Sequence, residues 1–435
     1  MFEVEQFRTR RLQLMQSMGQ GAALIPTAPE AMRNRDSHYP YRFDSYFYYI
    51  TGFQEPESVL LLIAGAQPKS VLFCRDKDME REIWDGFRHG SAGALAKFGF
   101  DEAYSISQLD ELVPKFLANK EQLFYSLGSD AGWDGRVTQW LNQLRAQGRS
   151  GVSAPSEIVD VQALIDEMRL FKSDYELASM RRAAEISSGA HQRAMQATRP
   201  GKMEYEIEAE LLHEFYRHGS PSPAYSSIVA GGANACVLHY IANSAQLNSG
   251  DLLLIDAGCE LDGYASDITR TFPVNGKFSA AQKDLYELVL AAQAAAIAQI
   301  RPGNHWNQPH EAALGVLIRG FIDFGLCQGS PESVLESGDY RRFYMHRTGH
   351  WLGLDVHDAG EYKDKQGNWR LLQPGMTLTV EPGCYVRPAD DVPEHFWNIG
   401  IRIEDDALVT ASGCDIITAA APKTVAEIEA IMLHE

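Results

Sequence analysis

Four acidic residues set inside apolar, strand-like sequence are the feature of this 435-residue chain that could do chemistry. Asp256 lies in Gly250-Asp-Leu-Leu-Leu-Ile-Asp256-Ala-Gly258 and Glu381 in Gly375-Met-Thr-Leu-Thr-Val-Glu381-Pro-Gly383. Both segments read glycine, five residues, an acid, one residue, glycine. Strand-like stretches 252–259 and 264–272 flank Glu260-Leu-Asp-Gly263, whose Asp-Gly pair is a hairpin signal. In a hairpin with an even-numbered loop, opposed residues have indices that add to an odd number. Asp256 and Asp267 meet that condition, so both face one side of the sheet. Glu381 and Glu404 meet it too, with Glu404 at the end of Asn398-Ile-Gly-Ile-Arg-Ile-Glu404. The Cβ atoms of each pair are then ~5 Å apart if opposed or ~7–8 Å apart if diagonal. Carboxylates facing each other on a buried sheet repel and lose hydration, so they take up protons or share a cation. One such acid is ordinarily a solvated surface group. Four at repeat-equivalent places point to divalent-metal chemistry.

The elements that must hold these acids form an internal repeat. Ser173-Asp-Tyr-Glu176 is a capping box opening a long amphipathic helix that stops at Arg199-Pro200-Gly201, and a second helical pattern covers 204–218. Arg-Pro-Gly returns at 301–303, between helical stretches 280–300 and 310–324. Two helix-helix-hairpin halves about a pseudo-twofold axis follow, with a site between them. Upstream, strand candidates 22–26, Val59–Ala64 and 71–74 alternate with helical stretches, giving a mixed α/β unit. The eight Tyr or Phe residues from Tyr39 to Phe53 read as filling a core or a domain contact rather than as a ligand surface. Arg169-Leu-Phe-Lys172 before the capping box marks the boundary, giving domains 1–171 and 172–435.

Composition excludes several functions. Fifty-eight acids against 39 bases, a formal charge of −19, argue against nucleic acid or an anionic membrane as partner. No run approaches the ~20 apolar residues of a membrane span, and the helical N-terminal segment lacks the apolar core of a signal peptide, so the expected location is the cytoplasm. The six cysteines form no C-x-x-C pair and read as buried thiols, not as a disulfide framework or a structural zinc site. Gly231-Gly232 is not a dinucleotide-binding G-x-G-x-x-G.

Histidines cluster in His346-Arg-Thr-Gly-His350-Trp-Leu-Gly-Leu-Asp-Val-His357-Asp. His-x-x-x-His on a helix would suggest a zinc pair, but Arg347 stands where that pattern needs glutamate, and Gly349 and Gly353 favour a loop or strand edge. His213 and His218, five apart in a helical pattern, diverge and read as ordinary helix residues.

Together with Thr379-Val-Glu381-Pro-Gly and Ile401-Arg-Ile-Glu404-Asp-Asp, these motifs resemble the pita-bread metallopeptidase superfamily, and in detail the aminopeptidase P (Xaa-Pro aminopeptidase) family. The stretch Tyr39 to Glu57 resembles the N-terminal domain of that family, so the resemblance covers nearly the whole chain. It implies an α/β (α+β) fold: a creatinase-like mixed α/β domain, concerned with oligomerisation and substrate access, followed by a pita-bread catalytic domain. It implies that Asp256, Asp267, His350, Glu381 and Glu404 ligate two divalent metal ions, Asp267 and Glu404 bridging. Mn²⁺ comes first, with Co²⁺ or Zn²⁺ as alternatives. It places His239 beside the substrate carbonyl, His346 and His357 around the scissile bond and the proline, and Arg402 behind the ligands. Tyr225 and Trp84 fall at substrate-pocket aromatics, Trp84 acting in this subunit or a neighbouring one of a homo-oligomer, dimer or tetramer. The implied reaction releases the N-terminal residue from peptides with proline second, through a hydroxide bridging the metals. Glu381 shuttles the proton, and His239 and His346 stabilise developing charge. The alternatives are a prolidase confined to Xaa-Pro dipeptides and a non-catalytic pita-bread binding module, which would have lost acids that all stand here.

Overall fold

In the computed structural model, which describes residues 2–433, the chain divides into two units, Met1–Met168 and Arg169–Glu435. The apolar runs of the first unit form one mixed sheet, in the order Glu102–Ser105, Lys69–Cys74, Val59–Ala64, Gly21–Pro26, Gln122–Phe124, Glu157–Val159. The strands Lys69–Cys74, Val59–Ala64 and Gly21–Pro26 are antiparallel to one another, and the outer ones join in parallel. Leu24, Leu61, Val71 and Phe73 are buried with Trp140 and Leu141 of helix Ala131–Arg145. The aromatic run folds as helix Ser45–Thr51, capped by Asp44, and buries Phe47, Tyr48, Tyr49 and Phe53. All six cysteines are free, five of them buried. No helix among the described residues is long and apolar enough to cross a membrane.

The second unit opens with helix Asp174–Ala197, whose capping box places Glu176 Oε2 2.8 Å from the Ser173 N–H. It packs on helix Glu204–Arg217, as helix Ala280–Ile297 packs on Gln308–Asp323. Each helix pair accompanies one hairpin. In the first hairpin, Leu252–Asp256 pairs with Thr269–Pro273 and Cys259–Leu261 with Tyr264–Ala265, in one unbroken register. Its turn is Asp262-Gly263, both at positive φ (52° and 83°), the geometry a two-residue type I′ loop demands. In the second, Thr377–Val380 pairs with Asp405–Val409 and Gly383–Val386 with Ile399–Arg402, again without a slip.

Both ladders are interrupted midway, and the four acids stand at the interruptions. At the first, Gly258 approaches the opposite strand so closely that a Cβ would lie 1.8 Å from the Ser266 carbonyl oxygen. At the second, Pro382 removes a ladder donor. The register sets Asp256 opposite Thr269, hence diagonal to Asp267, whereas Glu381 faces Glu404 directly. The hairpins meet where Glu404 N–H donates to the Thr269 carbonyl (3.0 Å) and Thr271 Oγ1 to the Arg402 carbonyl (3.0 Å).

A buried guanidinium locks this junction. Arg270 Nη1 reaches the carbonyls of Thr269 (2.9 Å) and Glu404 (2.5 Å), Nη2 reaches Asp405 Oδ1 (2.7 Å) and the Ala421 carbonyl (3.0 Å), and Nε reaches the Pro422 carbonyl (3.0 Å). All five N–H groups therefore have an oxygen. Asp405 completes the network through Thr418, Gln293 and Lys423. This satisfaction is what makes a buried charge tolerable.

Gly258→Ala drives a methyl group into backbone that cannot move without opening the hairpin. It is expected to cost about 3 kcal/mol, lowering the denaturation midpoint of the second unit by roughly 6–12 °C in scanning calorimetry. An unchanged midpoint would show that the interruption tolerates a side chain.

Candidate metal centre

The interrupted hairpins bring Asp256, Asp267, Glu381 and Glu404 to one cavity of about 710 Å³, which His350 also lines. His350 comes from a loop held against Thr377–Val380: its N–H meets Thr379 Oγ1 at 3.1 Å, and its carbonyl accepts the Thr379 N–H at 2.9 Å. Its Nδ1 lies 2.9 Å from the Trp351 carbonyl, which can only accept, so Nδ1 carries hydrogen and Nε2 is turned to the acids. Nε2 is 3.4 Å from Asp267 Oδ2 and 3.7 Å from Glu381 Oε1. Ligand atoms of Asp267, His350 and Glu404 lie within 4.8 Å of one another.

Burial, then the charges of Asp267, Glu381 and Asp256, holds the Glu404 carboxyl well above the carboxylate range. Burial raises Glu381 to about 7 against the pull of His350 and Arg402, and burial with Asp256 raises Asp267. Asp256 goes the other way. Burial works against its charge, but Arg402, with Nη2 2.5 Å from Asp256 Oδ2, outweighs that. Burial would likewise lower His350, yet Asp267 and Glu381 bring it up to about 9. Four carboxylates and one imidazole facing one fixed cation are short of positive charge, and protons gather where the acids crowd. Two divalent ions fit this oxygen-rich set, which lacks thiolate.

Arg402 stands behind Asp256, with Nη1 3.0 Å from the Tyr385 hydroxyl and Nε 3.2 Å from Thr269 Oγ1. Thr269 in turn donates to Glu404 Oε2 at 2.6 Å. The Tyr385 hydroxyl lies 2.9 Å from His346 Nε2, and His346 Nδ1 is 2.7 Å from the Arg347 carbonyl. Burial and Arg402 push His346 down to about 3, so the ring is neutral: Nδ1–H donates to the carbonyl and Nε2 accepts from Tyr385. Both nitrogens are committed. His346 lines the cavity, and its Nδ1 lies 3.8 Å from Glu381 Oε2.

Tyr225 lines the cavity and also reaches the acids. Its hydroxyl is 2.6 Å from Asp256 Oδ1 and in short contact with Asp267 Oδ1. One hydroxyl hydrogen cannot serve both, so the second contact requires a proton on a carboxyl, in line with the raised Asp267. His239 is an exposed residue of the cavity wall. His357 lies 4.4 Å from His350 between ring centroids, nearly perpendicular, and burial and His350 lower it. Trp84 belongs to the first unit, on helix Met79–Asp85, and is 84% exposed.

Sequence reasoning passed over Tyr385, Thr269, Asp358 and Asp406. Asp358 is buried between Arg169 (2.5 Å) and Lys172 (2.8 Å), so the segment read only as a boundary also ties down the His357 loop. Asp406 accepts from the Asp267 N–H at 3.1 Å, and burial and Asp267 hold it well above the usual carboxylate range. Thr269 was findable, since the register that pairs the strands sets it opposite Asp256.

Residues 178–411 match the description of metallopeptidase family M24. The chain belongs to that family. Residues 7–125 match the aminopeptidase P N-terminal domain. The chain is 44% identical to the Xaa-Pro aminopeptidase of Escherichia coli (strain K12) over 432 residues, 99% of this chain and 98% of that one. Among solved structures it resembles Pseudomonas aeruginosa aminopeptidase PepP (TM-score 0.97, 50% identity, 99% and 98% coverage). It also resembles a zinc-substituted E. coli aminopeptidase P in complex with product (TM-score 0.96, 44% identity, 99% and 98%).

Glu381 holds its proton to about pH 7 when folded but only through the ordinary carboxylate range when unfolded. The stability this adds is full at acid pH and lost as pH rises through about 7, and cation binding must expel the proton. Chelator-treated protein is therefore expected to melt lower at about pH 8 than at about pH 6, with Mn²⁺ restoring the midpoint at the higher pH. Calorimetry in buffers of different ionisation heat should record protons released on metal binding below about pH 7. Binding without proton release would contradict crowding of the carboxyls.

Proposed function

We propose that this chain is a metal-dependent Xaa-Pro aminopeptidase, releasing the first residue of peptides whose second residue is proline. The observation that carries the reading is the convergence of Asp256, Asp267, Glu381 and Glu404 with one imidazole on a single cavity. Relatives named for this activity, similar over nearly all their length, support it. Two divalent cations held by Asp256, Asp267, His350, Glu381 and Glu404, Mn²⁺ by preference over Co²⁺ or Zn²⁺, would supply a water of lowered pKa and an electrophile for the scissile carbonyl. We take Asp267 and Glu404 as the shared ligands.

Glu381 lines the cavity beside His350 and, once cation binding has expelled its own proton, would take a proton from the attacking water and return it to the leaving nitrogen. The proline amide has no N–H, so specificity must come from the shape of the pocket. His239 and His357 line the cavity and are the groups free to meet the substrate carbonyl and the proline ring. Arg402 keeps Asp256 ionised, and through the Tyr385 hydroxyl it holds the His346 ring in place.

We further infer a cytoplasmic homo-oligomer, a dimer or tetramer, in which the first unit contributes to assembly and substrate access. Met79, Ile83 and Trp84 on one short helix are 74%, 81% and 84% exposed, an apolar patch that a second copy would cover and that would bring Trp84 to a pocket. The acidic net charge and unpaired cysteines support the location.

Hydrolysis of an Arg-Pro-Pro peptide should release arginine with Mn²⁺ and stop after chelation, whereas cleavage of Gly-Pro alone would indicate a prolidase. Glu381→Gln should retain two metal ions by elemental analysis yet lower kcat by about 10²-fold or more. A normal turnover in that variant would remove Glu381 as the proton carrier.

A further inference from the structure

Resting on that reading, we propose that Arg347 recognises a carboxylate on the peptide just beyond the proline, so that the enzyme favours substrates acidic at the third residue. The carboxylate is either the free C-terminus of a tripeptide or a third-position Asp or Glu side chain.

Arg347 lines the same cavity as the acids but serves none of them. The guanidinium acting on the acids is that of Arg402. Arg347 is exposed, yet it is held on two sides. One Nη2 hydrogen bond goes to Asn307 Oδ1, itself the acceptor end of an amide that donates to Glu311 at 2.6 Å. Its guanidinium also lies 5.2 Å from the ring centroid of Trp369, another residue of the cavity wall. No carboxylate among the described residues forms an ion pair with it. A guanidinium has five N–H donors in a planar fork matched to a carboxylate, and here most of that fork remains for a ligand. Lys363 Nζ stands 4.2 Å from the same Trp369 ring, so two cations share one indole in a chain of net charge −19. An anion at this rim offsets their repulsion.

The direction of the substrate gives the position. Release of the first residue places the substrate's N-terminus beside the acids that would hold the metal, so the chain beyond the scissile bond leads away from them, and the wall of the same cavity carries Arg347 and Trp369. Neighbouring Cα atoms are about 3.8 Å apart. Arg347 lines one cavity with His346 and Glu381, and the group it meets is placed one to two residues past the bond.

The test compares Ala-Pro-Gly-amide, Ala-Pro-Gly free acid and Ala-Pro-Glu-amide on the Mn²⁺-loaded wild type, Arg347→Gln and Arg347→Lys. Alongside, calorimetry measures the affinity of the uncleaved peptides Pro-Gly, Pro-Gly-amide and Pro-Glu-amide. At least one acidic peptide should exceed the neutral one about 10-fold in kcat/KM, through KM, and the advantage should shrink at high salt. Which acidic arm gains identifies the source of the carboxylate. Arg347→Gln should bring the ratio to about 1 and Arg347→Lys should restore part of it. Cleavage of all three peptides at similar rates, or a preference that survives Arg347→Gln, overturns the inference and leaves the aminopeptidase reading intact. A calorimetric preference that depends on Arg347 without any cleavage supports the inference and overturns the aminopeptidase reading. Neither cleavage nor binding overturns both.

Discussion

Repulsion among four buried carboxylates is the constraint around which the second unit is organised. Each acid alone would stay in water, and gathering them raises the proton affinity of three while the fourth is held charged by Arg402. The molecule answers with partial compensation from several sides: a protonated His350, a Tyr225 hydroxyl between two aspartates, a Thr269 hydroxyl on Glu404. None of these is a full counter-charge. A site compensated this incompletely is prepared for cations, which replace protons without disturbing the backbone.

Three consecutive acids show how finely the burden is divided. Glu404 lines the cavity, Asp405 closes the Arg270 network, and Asp406 accepts from the Asp267 backbone. Asp405 stays below the usual carboxylate range because Arg270 and Lys423 overcome the cost of burying it, whereas Asp406, without a cation of its own, is pushed up. Structural rigidity and chemical readiness thus come from neighbours on one strand. They differ only in what meets them across the interface between the two halves.

Much of this was legible in the sequence because it rests on short-range rules. The Asp262-Gly263 turn, the Ser173–Glu176 capping box and the odd-index parity of the acid pairs depend on residues near one another in the chain, and the structure keeps all three. What escaped is decided at a distance. The ladders looked continuous over 252–259 and 264–272 because alternation of apolar residues does not show where strands part. Only the close approach of Gly258 to Ser266 does. Tyr385 carried no signal, since its importance lies in standing between Arg402 and His346. Tyr225 was placed at the pocket by resemblance, but its hydroxyl contacts with Asp256 and Asp267 were not, because a motif fixes a position and not the direction of a hydroxyl.

The two-residue turn of the first hairpin has a kinetic meaning. Leu252 to Pro273 can zip locally, and so can the second hairpin, but Thr269 and Glu404 meet across 135 positions of chain. Local contacts form early and distant ones late. The cavity is therefore among the last features to exist during folding, and a cation that requires both halves has nothing to grip in the transition state. Metal should act on the escape from the native state, lengthening its lifetime, while leaving the speed at which the chain first finds its shape almost untouched.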